Sequence, residues 1–263
     1  MAESLKILAS GPWPREHVSV TISGSQSHTK QADAEINQFW ETELAAARRE
    51  NRILFNSPVL CLQKYEITDR GLALQLARSD YKTFLVTTLR HNGFFLRHFP
   101  DSIAPALGNS ILLTCGTQAL LGVRSRRVAA YPGHAHLIGG VLDCRSGEVE
   151  KTAGPGAQVL RDHLLAEIHE EVGLDAADLA RPPQVLLLVQ DTVLNQPELI
   201  WHGEISEQSM NQAMQPSDAE DRHEHERMLT LSIAAAAEKT DMPLTPAARR
   251  AITMLAGLRT GRR

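Results

Sequence analysis

The spacing of hydrophobic positions alternates along the chain between the period of a strand and that of a helix. Apolar residues recur at helical spacing through 33–50 and alternate with polar residues through 71–76. The elements predicted for the first part are strands at 5–8 and 18–22 separated by a turn at 11–14, a helix at 33–50, an extended segment at 55–67 with a hairpin partner at 71–76, and a short helix from Ser79-Asp80 that Asn92-Gly93 breaks.

A segment with two prolines, 100–108, predicts a linker, so we expect an α+β N-terminal extension at 1–107 and a second domain at 108–263. The elements predicted for the second domain are a hairpin at 111–114 and 118–124, a segment at 136–140 that leads to a glycine pair, a helix at 158–172, strands at 184–191 and 198–205, a short helix at 208–215, a last strand at 229–233, and a closing helix that Thr245-Pro246 begins. This order predicts a sheet between two helices, an α/β/α sandwich.

Composition and charge narrow the class of protein. Of the 263 residues, 43% are hydrophobic and 22% charged, which is typical of a globular chain. The net charge of −4 argues against partners such as nucleic acid or a membrane surface. Cys61, Cys115 and Cys144 have neither disulfide-framework nor zinc spacing and are expected to be reduced thiols. No secretory signal is visible, and no apolar stretch approaches the roughly 20 residues of a membrane span, so we expect a cytoplasmic protein.

Three acidic residues of the predicted helix at 158–172 suggest its chemistry. Glu167, Glu170 and Glu171 are spaced at i, i+3 and i+4, which places their carboxylates on one face of a helix that Gly173 ends. Like charges at this spacing repel by a few tenths of a kcal/mol per pair, so the cluster needs either full solvation or a cation. A solvated acidic face is one interpretation. The other is a site for a hard divalent cation such as Mg²⁺, which proteins hold with a few carboxylates and substrate phosphates.

The segment 166–174 resembles the second half of a Nudix box, whose pattern is Gly-x5-Glu-x7-Arg-Glu-U-x-Glu-Glu-x-Gly-U, with U an aliphatic residue. The positions that match are Glu167, Ile168, Glu170, Glu171, Gly173 and Leu174. Ala166 replaces the arginine of the box and Gln158 its first glutamate, so a structural ion pair of the family has lost both partners together.

The loop half of the box is displaced. The glycine pair Gly139-Gly140 lies about a dozen residues too far upstream, which indicates an insertion across 142–156, and Gly147-Glu148 offers a competing register. An irregular box after a long N-terminal extension is similar to the UDP-sugar-hydrolysing branch of the Nudix hydrolases. The resemblance implies a Nudix-type α/β/α sandwich with a mixed sheet. It also implies a Mg²⁺-dependent enzyme, with Mn²⁺ as an alternative ion, that cleaves a nucleoside-diphosphate sugar to UMP and a sugar 1-phosphate.

The same resemblance assigns the site residues. Glu167, Glu170 and Glu171 are the expected catalytic residues and metal ligands, and Glu226 is a further expected metal ligand from the run 223–226. The segment 80–85 resembles a part of the UDP-sugar hydrolases' extension that helps to hold the nucleotide. The expected substrate-binding residues are Tyr81, Lys82, Phe84, Arg124, Arg126, Gly139, Gly140 and Glu198.

Each of these assignments has a structural alternative. Tyr81 and Phe84 are equally compatible with packing of the N-terminal core, and Glu198 with a charge at a strand edge. The run that contains Glu226 is compatible with a solvated loop, and His223 and His225 lack a third ligand for a soft-metal site. At the level of function, two further hypotheses stay open. One is a non-catalytic Nudix-fold module that binds a nucleotide or a protein, and the other is a hydrolase of a different nucleotide diphosphate, such as ADP-ribose or a dinucleotide.

Overall fold

Two β-sheets form the framework of the protein in the computed structural model, which describes residues 4–126, 128, 130–143, 158–215, 225–238 and 240–261. The strands are β1 (Leu5–Pro14), β2 (Val18–Ser25), β3 (Pro58–Thr68), β4 (Gly71–Asp80), β5 (Gly108–Cys115), β6 (Gln118–Arg124), β7 (Ala135–His136), β8 (Ile138–Val141), β9 (Gln184–Asp191), β10 (Gln196–Glu204) and β11 (His225–Ser232). The α-helices are α1 (Lys30–Arg49), α2 (Tyr81–Phe84), α3 (Asn92–His98), α4 (Gln158–Val172), α5 (Glu207–Ala213), α6 (Ile233–Glu238) and α7 (Pro246–Thr260).

The larger sheet is mixed, with the order β1-β9-β10-β5-β6-β11, and β7 and β8 pair with β6 and β5. The pairing of β10 with β5 is parallel and places Glu198 opposite Gly108, whereas the other pairs in this sheet are antiparallel. The smaller sheet has the order β2-β4-β3 and contains the predicted hairpin of β3 and β4.

Side chains alternate between the two faces of the larger sheet, so each face has its own core. Ile111 and Leu113 pack in one core with α4 and the smaller sheet. Leu112 packs in the other core with α6 and α7. The predicted α/β/α sandwich is therefore confirmed, and β2, β3 and β4 of the extension add a second sheet to the layer that contains α4.

Helix α4 is fixed to the sheet by an apolar stripe and a buried polar network. Its residues Leu160, Leu164, Ile168 and Val172, four apart, are buried in the first core. Asn109 on β5 accepts a hydrogen bond from Trp201 Nε1 at 2.8 Å and donates from Nδ2 to the carbonyl oxygen of Leu160 at 2.8 Å. These contacts hold the helix against β5 and so determine where its carboxylates lie.

The first strand differs from its prediction. β1 continues through the expected turn at 11–14 and pairs with β9, while β2 pairs with β4 in the smaller sheet. Irregularities in the β1 register occur between Ile7 and Ala9 and between Ser10 and Trp13. β1 is an edge strand, a position in a sheet that tolerates proline. The segment 5–14 therefore belongs to the larger sheet.

The segment predicted as a linker is a buried connection. Ala104, Ala106 and Leu107 are fully buried, and the backbone N–H of Leu107 donates to the carbonyl oxygen of Leu60 at 2.9 Å. The backbone N–H of Leu62 donates in turn to Pro105. The backbone of 104–107 therefore joins β3 to the start of β5, rather than spanning an exposed gap.

The helical part of the extension also differs in one detail. Asp80 caps α2 as predicted, since its Oδ1 accepts from the backbone N–H of Thr83 at 2.8 Å. The chain continues through a π-helical turn, Leu85–Arg90. The helix α3 then begins at Asn92, where the predicted helix was expected to end. Within the part of the chain that the structure describes, no helix has the length and apolar character to cross a membrane.

Candidate active site

A cavity of about 1120 Å³ lies between the larger sheet, α4 and the extension. Its acidic lining residues on the side of the larger sheet and α4 are Asp143, Glu167, Glu171, Asp191 and Glu198, and Glu43 lines it from the extension. Arg124, Tyr131 and His136 add polar groups to the same side. The extension supplies an apolar wall that consists of Leu54, Phe55, Val59, Tyr81, Phe84, Leu85 and Leu89. The side of the larger sheet and α4 is termed the ionic side, and the extension adds Glu43, Arg52 and Arg90 beside its apolar residues.

Gly139 places its backbone against the carboxylate of Glu171. Its φ of 134° is in the region that favours glycine, and a Cβ there would lie 2.4 Å from the carbonyl oxygen of Asn109. The backbone N–H of Gly139 donates to both Glu171 oxygens, at 3.3 and 3.4 Å. Glycine is required here because the backbone of Asn109 and Ser110 leaves no room for a Cβ.

Gly140 leaves room for the carboxylate of Glu167. A Cβ at this position would lie 2.9 Å from Glu167 Oε2. On the other side, Glu167 Oε1 lies 3.4 Å from Nε2 of His163, whose ring also contacts the carbonyl oxygen of Val141 at 3.0 Å. The glycine pair and the glutamates of α4 therefore form one unit, although the sequence separates them by an insertion.

His225 at the start of β11 also contacts Glu171. Its Nε2 donates to Glu171 Oε2 at 2.9 Å, and its ring lies over Gly122, where a Cβ would come within 2.4 Å of Nδ1. Glu226, the next residue, lies at a register irregularity of the strand; it is exposed, and its Oε1 accepts from the backbone N–H of Arg126 at 3.1 Å. Of this pair, His225 rather than Glu226 faces α4.

Glu198 is a buried acid beside His136. Burial raises the pKa of Glu198 to about 7, although a hydrogen bond from Ser110 and the charge of Arg124 act in the opposite direction. Its Oε1 lies 3.6 Å from His136 Nε2 and has no hydrogen-bond partner among the described residues. Gly108, across the sheet, provides the space, because a Cβ there would lie 3.0 Å from Glu198 Cγ.

Tyr131 closes one edge of the cavity. Its hydroxyl donates to Asp191 Oδ2 at 2.5 Å, and burial together with Asp191 raises the pKa of the Tyr131 phenol. The other oxygen of Asp191 accepts from the backbone N–H groups of Val193 and Leu194. Tyr131 has a φ of 49°, which is rare for a bulky residue and is often found near functional sites.

The remaining predicted site residues are divided between the cavity and its surroundings. Tyr81, Phe84 and Arg124 line the cavity, with Phe84 almost fully buried. The predicted residues outside the described lining are Lys82, Glu170, Glu226 and Arg126. Lys82 Nζ donates to Asn37 Oδ1 at 2.9 Å. Arg126 borders a smaller cavity with Arg52 and Arg90. Arg127, Cys144, Gly147-Glu148, His223 and most of the predicted insertion lie outside the described residues.

The donor chemistry of the cavity fits a hard divalent cation. Carboxylate oxygens are the ligands that Mg²⁺ prefers, and the unpartnered Oε1 of Glu198 is a buried oxygen in need of a positive charge. In the conformation described, no group of three or more His, Cys, Asp or Glu side chains among the described residues is gathered as a metal site. The oxygens of Glu171 contact Gly139 and His225 instead.

Comparisons with known proteins give weak matches only. No family model and no curated protein matches the sequence. Among solved structures, the chain is similar to a mutT/nudix family protein from Listeria innocua, with 14% identity over 59% of this chain and 94% of that one and a TM-score of 0.43. It is also similar to a MutT NUDIX hydrolase from Burkholderia pseudomallei, with 19% identity over 57% and 98% of the chains and a TM-score of 0.38.

A third similar structure is a C. elegans Ap4A hydrolase, with 13% identity over 59% of this chain and 98% of that one and a TM-score of 0.37. Matches of this strength do not assign the chain to a family.

Proposed function

We propose that the protein is a metal-dependent hydrolase of the Nudix type that cleaves the diphosphate of a nucleoside-diphosphate sugar, giving UMP and a sugar 1-phosphate. The principal support is that Glu167 and Glu171, two of the three box glutamates, meet the glycine pair Gly139-Gly140 at the ionic side of one large cavity. The box resemblance and the site geometry thus agree at residues that the sequence separates by about 30 positions.

The lining residues suit the parts of such a substrate. Arg124 donates from Nε to the carbonyl oxygen of Ala130, which orients its guanidinium at the ionic side, where a diphosphate would lie. Tyr81 and Phe84 in the apolar wall suit the base, although Phe84 presents little surface. Bound Mg²⁺ would neutralise charge on the phosphoryl oxygens, and Glu167, Glu170 and Glu171 are the proposed ligands.

Product analysis tests this proposal. The protein is incubated with UDP-glucose and Mg²⁺, and UMP and glucose 1-phosphate are measured in parallel with reactions on ADP-ribose and a diadenosine polyphosphate. We expect UDP-glucose to be cleaved fastest, and we expect Glu171→Gln to lower the rate by at least a hundredfold. Glu66→Gln, an exposed change on β3, is the control and keeps the wild-type rate. Absence of cleavage of every diphosphate contradicts an enzymatic role.

A non-catalytic binding module is the second candidate. It is favoured by the contacts of Glu171, whose oxygens already accept from Gly139 and His225. Calorimetry separates the two candidates. The hydrolase requires Mg²⁺ or Mn²⁺ binding that Glu170→Gln/Glu171→Gln removes, together with turnover, whereas nucleotide binding without turnover supports the module.

A further inference from the structure

Three side chains form a continuous polar chain from α7 to the cavity. Thr245 Oγ1 lies 2.7 Å from His136 Nδ1, and His136 Nε2 lies 3.6 Å from Glu198 Oε1. All three residues line the cavity, and the His136 and Glu198 side chains are only 13% and 15% exposed. They come from three separate elements, the residue before α7 and strands β7 and β10.

The contacts of Thr245 are compatible with a proton on Nε2 of His136. Thr245 is the N-cap of α7, and its Oγ1 accepts from the backbone N–H of Ala248 at 3.3 Å. The hydroxyl hydrogen is available for donation to His136 Nδ1, and in that arrangement the ring proton is on Nε2, which lies toward Glu198. Burial and the positive charges of Arg124 and His225 lower the pKa of His136 well below its usual value, so the ring is neutral.

Glu198 differs from the box glutamates in how its oxygens are used. The oxygens of Glu171 accept from Gly139 and His225, and Oε1 of Glu167 lies beside His163. Oε1 of Glu198 is buried, is approached only at 3.6 Å by His136, and accepts no hydrogen bond from the described residues. It is thus an oxygen with capacity for one more donor on the ionic side of the cavity.

We propose that Glu198 is the catalytic residue that accepts a proton from the attacking water, and that His136, oriented by Thr245, is its positioning residue. This inference rests on the hydrolase function proposed above. In the step, the water oxygen forms a bond to one phosphorus and the bridging P–O bond breaks, with its electron pair leaving on the bridging oxygen of the other phosphate. Glu198 takes one proton of the water, and the second stays on the newly formed phosphate group.

The electrostatic surroundings of Glu198 are compatible with this role. The titratable and polar groups around it are His136, Ser110, Arg124, Asp191 and Tyr131. Burial raises the pKa of Glu198 to about 7, and a base is most effective when its pKa lies near the working pH.

Steady-state kinetics with UDP-glucose and Mg²⁺ tests the role of Glu198. We expect Glu198→Gln to lower kcat by about a hundredfold or more, as is typical when a general base is removed, with KM changed less than threefold. Glu204→Gln is the matched control, since Glu204 lies at the far end of the same strand in an exposed pair with Arg181. A Glu198→Gln enzyme with kcat within threefold of wild type overturns the inference, while the wild-type activity still supports the hydrolase.

The pH profile of kcat tests the positioning role of His136. His136→Leu removes the Nε2–H that faces the carboxylate, so the acid limb should move to higher pH, whereas His136→Gln retains a donor and should keep the limb close to that of wild type. Unchanged limbs in both variants overturn the role of His136. A wild-type protein that cleaves none of the diphosphates overturns the proposed function and this inference together.

Discussion

Nε2 of His225 lies 2.9 Å from Oε2 of Glu171, and the two side chains are only 7% and 2% exposed. This contact connects β11, at one edge of the larger sheet, to the carboxylate end of α4. Since a carboxylate accepts only, His225 is the donor and supplies one of the partners that a buried acid needs. The strand and the helix are therefore coupled at the ionic side of the cavity.

Replacing His225 should destabilise the fold more than replacing an exposed histidine in a similar pair. His225→Phe keeps a ring over Gly122 but leaves Glu171 without this donor, so we expect the free energy of unfolding to fall by about 1–3 kcal/mol. The control is His169→Phe, because His169 Nδ1 lies 3.0 Å from Asp175 in a pair whose side chains are 65% and 72% exposed. Urea denaturation measures the free energy of unfolding of both variants. Equal losses would contradict the larger contribution of the buried pair.

Gly140 provides a test that separates activity from stability. A Cβ at position 140 would lie 2.9 Å from Glu167 Oε2, the flexible end of a side chain, so Gly140→Ala should displace the carboxylate with little cost to folding. We expect the hydrolysis rate to fall at least tenfold and the free energy of unfolding to change by less than about 1 kcal/mol.

The control for this substitution is Gly93→Ala in α3, where no atom lies within 4 Å of the new Cβ. It should keep the full hydrolysis rate. A Gly140→Ala protein as active as Gly93→Ala would show that the position of Glu167 does not matter for the reaction.

Much of the fold follows from local pattern and capping. The predicted bounds of α4 match the observed Gln158–Val172, and Thr245 caps α7 as the Thr-Pro pair indicates. The partner of β1 could not be predicted, because pairing with β9 joins residues about 180 positions apart and depends on register irregularities. The burial of 104–107 was also missed, because proline occurs in both exposed and buried connections and the sequence does not distinguish them.

Of the predicted acids, Glu167, Glu171 and Glu198 line the cavity, whereas Asp143, Asp191 and the histidines were not predicted. The spacing of Glu167 and Glu171 on a helix is a local signal, and the structure places both at the cavity. His136 and His225 each belong to a His-x-His pair in the sequence, but they meet the acids only through the pairing of β6 with β7 and β11. Alternation along β11 would have placed Glu226 on the α4 face together with Met228, but a register irregularity between His225 and Arg227 brings His225 to Glu171 instead, and the prediction began that strand only at 229.

The hydrogen bond between Trp201 and Asn109 should contribute strongly to stability. Trp201→Phe removes the indole N–H, leaves the buried Asn109 Oδ1 without this donor, and opens space in the core. We expect a loss of about 2–4 kcal/mol in the free energy of unfolding. Trp13→Phe is the control for ring size, since Trp13 is partly buried against the same core. If urea denaturation gives both variants the same loss of unfolding free energy, the hydrogen bond to Asn109 contributes nothing beyond the effect of the smaller ring.

The raised pKa of Glu198 predicts how stability depends on pH. Between the usual pKa of 4.5 and the folded value of about 7, the folded state binds more protons than the unfolded state, so the free energy of unfolding falls as pH rises. Glutamine has no charge to bury and escapes this penalty. The stability gained by Glu198→Gln should therefore increase by up to about 3 kcal/mol from pH 5 to pH 8.

Urea denaturation in metal-free buffer across this pH range measures the difference between Glu198→Gln and wild type. Glu204→Gln serves again as control, since its exposed pair with Arg181 should contribute less than about 1 kcal/mol at any pH. A difference that stays constant from pH 5 to pH 8 would mean that Glu198 ionises as easily in the folded protein as in water. In that case its burial would give no reason to expect a proton acceptor at this position.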